Sequence, residues 1–564
     1  MLFRLDSKLA KFSGGKIYRQ LKPGFSMLLL SGTILSLLLL LTGSQHGGQA
    51  GPRERKPNFI IILADDIGWG DLGANLEGVR KTQTPNLDLM AEQGMRLTDF
   101  HSPASTCSPS RASLLTGRLG LRNGVTHNFA VGSVSGLPLS ETTLAQLLQQ
   151  AGYHTAMVGK WHLGHRGPYH PTNRGFDYYL GIPYSNDMGC TDQPGFDLPP
   201  CPPCDPGPQV HRETRAAAGG CYSQVALPLY ENSTIIEQPL DPWRLTQSYT
   251  QAALRVIHTA RQQGHPYLLY VALAHMHVPL APSPSVSNGT EGGAYAASLR
   301  EMDSLVGAIK NASDWTDQNN TLIWFTGDNG PWEQKCQYAG SAGPFQGKWQ
   351  TSRGGGSAKR TTWEGGHRVP TVAYWPGSIA VNSISSALLS GLDVFPTLLS
   401  LAGVEPPSDR HYDGVDASEV LLHGAQTGHE LSLLCPSPCL QFLFHPNSGA
   451  AGTFGDLQAV RVENYKAFYL TGAAEACGGS TGKAELHDPP LIFDLFRDKG
   501  EESPLDESTE EYQHTLERVR KGRDDLLWDI ATDQSVSTAD YTTRQSAAPC
   551  CDPRHTACRC HTTG

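Results

Sequence analysis

Three short stretches of the 564-residue chain are almost wholly apolar, and each runs into a polar cluster. Asn58 to Ala64 reads Asn-Phe-Ile-Ile-Ile-Leu-Ala and is followed at once by Asp65 and Asp66. Tyr267 to Leu273 runs into His275 and His277, and Thr321 to Thr326 into Asp328 and Asn329. Continuous β-branched and apolar runs of this length predict strands buried on both faces of a largely parallel sheet. Helical patterns, such as Thr142 to Ala151 and Trp243 to Gln263, lie between them. Strands alternating with helices predict an α/β fold, in which ligands gather beyond the carboxyl ends of the strands. The three polar clusters are therefore expected to converge on one site.

The ends of the chain have a different texture. Arg4, Lys8, Lys11, Lys16, Arg19 and Lys22 precede an apolar run from Leu28 to Leu41, and small and polar residues follow from Thr42 to Ala50. This is the pattern of a secretory signal peptide, and it is short of the roughly 20 apolar residues of a membrane span. An uncleaved signal anchor is the alternative reading; after removal of the segment, stable membrane insertion is not expected. Met27 opens the apolar run, so the basic segment before it is long for a signal peptide. From about residue 405 the apolar runs shorten, a helical stretch covers Tyr512 to Ile530, and the tail is rich in Cys. The expected division is an extension and signal peptide over 1–50, a large domain over 51–404 and a smaller C-terminal domain over 405–564. The Pro- and Gly-rich loops 194–208 and 341–357 are expected to be surface insertions.

Composition narrows the function. Apolar residues make up 39% and charged residues 17%, with 60 Gly and 39 Pro spread along the chain, which excludes a coiled coil, a collagen and a charge-rich disordered chain. Lys and Arg number 44 against 54 Asp and Glu, a net charge of −10 that argues against a nucleic-acid binder with a broadly basic surface. Four sequons, at Asn232, Asn288, Asn311 and Asn319, agree with passage through the secretory pathway. The 13 Cys include Cys190, Cys201, Cys204 and Cys221 in one loop and Cys550, Cys551, Cys558 and Cys560 at the end. Neither group has the regular spacing of a zinc ribbon, so disulfides are favoured.

Adjacent carboxylates at a strand end, Asp65 and Asp66, repel unless a cation lies between them, and a hard divalent ion suits them. Asp328 and Asn329 offer further oxygen ligands, although each pair alone would also suit a turn. In Thr106-Cys107-Ser-Pro-Ser-Arg111, the Pro suits a helix's first turn, where backbone N–H groups bind anions. Arg111, one turn further in, can hold an oxyanion and a neighbouring carboxylate. A buried free Cys in a helix cap is the plain structural alternative.

Cys107-Ser-Pro-Ser-Arg111, followed by Leu115-Thr-Gly-Arg118, resembles the signature of the type I sulfatases. Asp65-Asp66, Gly159-Lys-Trp-His-Leu-Gly164, His277 and Asp328-Asn329 stand in that family's order, and the resemblance runs from about Lys56 to the C-terminus. It implies an alkaline-phosphatase-like fold: a large mixed, mostly parallel sheet flanked by helices, and a smaller C-terminal domain with an antiparallel sheet. It also implies that the formylglycine-generating enzyme of the endoplasmic reticulum oxidises Cys107 to Cα-formylglycine. The hydrated aldehyde then offers two hydroxyls, one attacking sulfur and the other expelling sulfate, which splits a difficult step into two. By the same resemblance Ca²⁺ is held by Asp65, Asp66, Asp328, Asn329 and residue 107. Arg111 stabilises residue 107, and Lys160, Lys359 and Ser185 bind sulfate. His162 is the base of the elimination, and His277 with Lys359 protonates the leaving oxygen.

The run Thr106 to Val125 and the terminal Cys550-Cys-Asp-Pro and Cys558-Arg-Cys resemble one lysosomal branch of the family, which implies a sulfated glycan substrate, the 3-O-sulfate of glucosamine in heparan sulfate. Two histidines titrating near pH 5 to 6 would then give an acidic optimum. Glu430 to Gln441, with Cys435 and Cys439, interrupts that branch's pattern before Phe444-His-Pro-Asn447. A phosphatase on the same fold, a sulfatase of another glycosaminoglycan or a sulfolipid, and a silent glycan-binding homologue are the competing readings. The intact Cys107-to-Arg111 signature weighs against the phosphatase, and the intact set of site residues against the silent homologue.

Overall fold

Asn58–Ala64 forms strand β1, and all seven residues are buried. Successive side chains of a strand point to opposite faces, so β1 serves two cores at once. Ile60, Ile62 and Ala64 pack with helix α1 (Pro85–Glu92), α4 (Leu245–Gln263) and α5 (Gly293–Asp317). Phe59, Ile61 and Leu63 pack with α2 (Cys107–Thr116), α3 (Leu144–Gln150) and α6 (Val394–Ala402). A continuous apolar run is thus what a strand between two helical layers requires. The computed structural model describes residues 55–76, 83–198, 225–287, 291–426 and 441–561, with residue 428 and a few positions between 201 and 222. The signal peptide expected over 1–50, Asn288, and the interruption from Glu430 as far as residue 440 lie outside the described residues. From Lys56 onward the chain is a single compact unit.

The other strands of the large sheet are β2 (Met95–Leu97), β3 (His154–Gly159), β4 (Tyr178–Gly181), β5 (Leu229–Glu231), β6 (Thr234–Gln238), β7 (Tyr267–Ala272), β8 (Thr321–Gly327), β9 (Val372–Tyr374) and β10 (Ser383–Ser385). A second sheet holds β11 (Phe442–Pro446), β12 (Leu457–Val462), β13 (Tyr465–Thr471) and β14 (Glu485–Asp494), each antiparallel to the next. A last strand, β15 (Cys560–His561), returns to the edge of the large sheet beside β6. The 11-stranded order is β10-β2-β9-β8-β1-β7-β3-β4-β5-β6-β15. Its central strands β8, β1, β7, β3 and β4 are all parallel, and antiparallel strands flank them. The expected mixed, mostly parallel sheet and the separate small antiparallel sheet are both present. The expected strands and helices are found within a few residues of their bounds. Two glycines let the strand ends close up: a Cβ on Gly159, at φ +116°, would sit 1.9 Å from the Ala272 carbonyl, and one on Gly181 would sit 1.8 Å from the Gly159 carbonyl.

The small sheet is covered on both faces. Phe442, Val460, Val462, Ala467 and Ile492 meet Tyr512, Leu516 and Val519 of helix α7 (Glu510–Thr532). Ala459, Phe468 and Phe493 meet Trp349 and Trp363. The loop 341–357 is therefore more than a surface insertion: Trp349, 8% exposed, packs between Trp363 and the small sheet, because its indole finds apolar cover there. In the 194–208 loop, Asp197 is buried against Lys335 at 2.7 Å. Disulfides join Cys190–Cys204, Cys336–Cys477, Cys550–Cys558 and Cys551–Cys560, and Cys201 is also disulfide-bonded. Among the described residues the free cysteine is Cys107.

Charge ties the two sheets together. Fully buried Glu364 reaches Lys466 of β13 at 2.8 Å, Arg368 at 2.7 Å and His101 at 2.9 Å. Asp99 meets Arg461 of β12 and Arg368, each at 2.7 Å. Burial opposes ionisation of Glu364, but Lys466, His101, Arg368 and Arg461 hold it well below the carboxylate range. Removing one partner of such a network strands the others in the interior at a cost of about 3–5 kcal/mol. Glu364→Ala should therefore lower the midpoint of chemical denaturation by a free energy of that order, and Glu364→Ala/Lys466→Met should recover part of the loss. Equal midpoints for wild type and Glu364→Ala would show that the network does not hold the sheets together.

Candidate active site

Five neighbouring parallel strands deliver their following residues to one place. β8 leads to Asp328 and Asn329, β1 to Asp65 and Asp66, and β7 to His277. β3 leads to Lys160 and His162, and β4 to Ser185 and Asp187. The register pairs Ala64 with Gly327, and Ala272 with Gly159, so these ends are level. Helix α2 adds Cys107 as its first residue, after the N-cap Thr106. Asp66 at φ 55° and His162 at φ 58° occupy left-handed conformations that residues with a Cβ rarely adopt, a cost typical of functional positions.

Within the site three carboxylates meet three cations. Lys160 Nζ lies 2.5 Å from Asp65 Oδ2, and Lys359 Nζ lies 2.6 Å from Asp66 Oδ1 and 2.8 Å from Oδ2. Arg111 donates from Nε to Asp328 Oδ2 at 2.9 Å and from Nη1 to the Lys160 carbonyl at 2.7 Å, and its Nη2 is 3.3 Å from Asp65. The thiol of Cys107 faces Asp65 Oδ1 at 3.4 Å. Asn329 donates to Asp66 Oδ1 at 2.7 Å and to the Gly330 carbonyl at 2.9 Å. Ser185 Oγ is 3.5 Å from His162 Nδ1, and His162 Nε2 meets the Phe129 carbonyl at 3.0 Å. His277 Nε2 is 3.6 Å from Asp66 and 3.9 Å from Asp187. The structure thus brings together Asp65, Asp66, Cys107, Arg111, Lys160, His162, Ser185, His277, Asp328, Asn329 and Lys359, all of them buried.

Burial pushes the Cys107 thiol up to about 12, and the Asp65 charge adds to this. Thiol enzymes show the opposite shift. Burial works against the Asp65 charge, but Lys160 and Arg111 hold that carboxyl well below its ordinary range. Burial, and after it repulsion from Asp65, raises Asp328 to about 6; burial likewise raises Asp66. The oxygen Oδ1 of Asn329 is buried without a hydrogen-bond partner. Repelling carboxylates, an orphaned amide oxygen and an all-oxygen donor set fit a hard divalent cation. One atom each from Asp65, Asp66, Cys107 and His277 lies within 4.8 Å of the others, so His277 borders the same group.

Burial also governs the two histidines. Burial, reinforced by Lys160 at His162 and by Lys359 at His277, drives both well below the ordinary imidazole value. Both imidazoles are thus disfavoured as cations in this pocket. Asp187 was missed by the sequence reading. Burial raises its carboxyl to about 7, and only its nearness to the recognised Ser185 could have drawn attention to it. Trp332 was missed as well; its ring lies 5.2 Å from that of His277.

Comparison with known proteins agrees with this site. The family model described as Sulfatase matches residues 57–404, and the one described as C-terminal region of aryl-sulfatase matches 440–560. Arylsulfatase G of Canis lupus familiaris is 58% identical over 540 residues, covering 95% of this chain and 97% of its own. Arylsulfatase A of Homo sapiens is 36% identical over 528 residues, covering 90% and 96%. The crystal structure of the sulfatase PsFucS1 from Pseudoalteromonas sp. superposes with a TM-score of 0.70 at 25% identity, covering 86% of this chain and 92% of that one. The family uses a metal ion and formylglycine. With its signature cysteine buried among three carboxylates and three cations, the chain belongs to the sulfatases, which hydrolyse sulfuric esters.

Proposed function

We infer that this sulfatase acts with residue 107 as formylglycine and removes the 3-O-sulfate of terminal glucosamine from heparan sulfate in the lysosome, with activity on aryl sulfates as well. The observation that carries the mechanism is the placing of Cys107 as the first residue of α2, buried and 3.4 Å from Asp65 among the site's carboxylates and cations. Such a thiol suits a precursor to be oxidised by the formylglycine-generating enzyme before folding hides it. The substrate rests on 58% identity to proteins named arylsulfatase G. The reading assigns 51–404 to the catalytic domain and 405–564 to the C-terminal domain, after an extension and signal peptide over 1–50. Exposed Asn232, Asn311 and Asn319 are the proposed glycan carriers, with Asn288.

Hydrated formylglycine supplies two hydroxyls on one carbon, one to take the sulfuryl group and one to release it. Lys160 and Lys359, buried and charged, stand ready to offset the negative charge that builds on sulfate oxygens. Arg111 locks Asp328 and Asp65 beside residue 107. His162 donates Nε2–H to the Phe129 carbonyl and so presents Nδ1, beside the Ser185 hydroxyl, as a base. His277 donates its Nδ1–H to the Val278 carbonyl at 2.6 Å and turns Nε2 to the pocket, where it positions the leaving oxygen beside Lys359, whose ammonium carries the proton that oxygen takes up. Calcium would be held by Asp65, Asp66, Asp328, Asn329 and residue 107, and would supply positive charge. The protein charges alone cancel, three against three, so a dication leaves an excess for an anionic ester.

Peptide mass spectrometry of protein from secretory cells should find an aldehyde at residue 107, and an unmodified thiol in active enzyme would overturn the mechanism. Incubation with defined heparan oligosaccharides should release sulfate from 3-O-sulfated terminal glucosamine; release only from other positions would reassign the substrate. Chelation should abolish activity and lower the thermal midpoint as the carboxylates repel, and calcium should restore both. Asp187 has a folded pKa near 7 against an ordinary 3.8, so its contribution to stability is present below pH 4 and is lost as pH rises to 7. Relative to Asp187→Asn, wild type should lose up to about 4 kcal/mol between pH 4 and 7, and parallel stability curves would contradict this.

A further inference from the structure

The indole of Trp332 stands against the site without a part in the chemistry above. It follows directly on the strand end Asp328-Asn329-Gly330-Pro331. Its ring centre is 5.2 Å from the His277 ring, 4.5 Å from Lys359 Nζ and 4.6 Å from Lys335 Nζ. These neighbours are buried, at 4%, 7% and 2% exposure, whereas Trp332 is half-buried. Its Nε1–H donates to Gln334 Oε1 at 3.0 Å, so the part of the ring left open is apolar. The turn that carries it is held firmly. Cys336 is bonded to Cys477, Gln334 donates to Glu475 at 2.7 Å, and Glu333 accepts from the Ser357 N–H at 3.0 Å. An aromatic surface fixed before the ligand arrives loses little entropy on binding.

Building on the sulfatase reading, we propose that Trp332 is the wall of the leaving-group subsite and packs against the apolar C–H face of the sugar ring that carries the scissile sulfate. Sulfate oxygens belong with Lys160 and Lys359, and the ester oxygen with His277. The ring bonded to that oxygen must then lie over the next surface outward, which is the indole beside His277. A pyranose matches such a surface because its hydroxyls lie around the rim and its C–H groups on the faces. Lys335 is paired with Asp197 at 2.7 Å, so beneath the indole it braces the wall.

The test is inhibition of aryl sulfate hydrolysis by monosulfated hexosamines and by inorganic sulfate, measured on the calcium-loaded, formylglycine-containing enzyme. Trp332→Leu should raise the Ki of the best competing sugar sulfate about tenfold, the worth of burying one sugar face on an indole. The Ki of inorganic sulfate, which has no leaving group, should hold, and Trp332→Phe should recover most of the sugar affinity. A parallel rise in both constants would make Trp332 a support for Lys359 and overturn the proposal. So would unchanged constants, or wild-type enzyme that binds no sugar sulfate better than inorganic sulfate. Wild-type protein that hydrolyses no sulfate ester would overturn the sulfatase reading itself.

Discussion

Three carboxylates and three cations are forced into one water-poor place at the carboxyl ends of five parallel strands. Each charge alone would cost several kcal/mol to bury, and each is tolerated because an opposite charge lies within 3.3 Å. The balance is also incomplete. Asp328 is raised to about 6, Asp66 is pushed up, and the Asn329 amide oxygen has no partner. A site in this condition is poised for a divalent cation, which relieves what the protein leaves unsatisfied.

The scaffold exists to hold those charges still. β1 is buried on both faces, so its end cannot shift without disturbing two cores. The glycines at 159 and 181 let adjacent strand ends approach where any Cβ would collide with a carbonyl. On the far side the Glu364 network fixes the small sheet, and the Cys336–Cys477 bridge ties a loop of that region to the turn after Asp328. The C-terminal region is therefore tied to the turn that follows a site strand, while the site's charged groups described above come from residues before 405.

Much of this was legible in the chain because strands buried between two helical layers are apolar throughout, and the polar residues that follow them stand out. The convergence of Asp65, His277 and Asp328 followed from that rule alone. Lys160, Ser185 and Lys359 carry no local signal; a lysine between Ala358 and Arg360 reads as surface charge, and only the sulfatase resemblance marked them. Trp349 was hidden in a Gly-rich loop because its cover comes from a sheet more than 90 residues further on.

The sequence by itself determined the sheet's inner strands, the disulfide character of the cysteines and the sulfatase signature at Cys107, because each depends on residue type and near neighbours. Tertiary structure alone decided the protonation states. Burial and facing charges push His162 and His277 well below the ordinary imidazole value, push the Cys107 thiol up, and raise Asp187 to about 7. A pKa is set by solvent exclusion and by charges a few ångströms away in space, and neither distance is written along the chain.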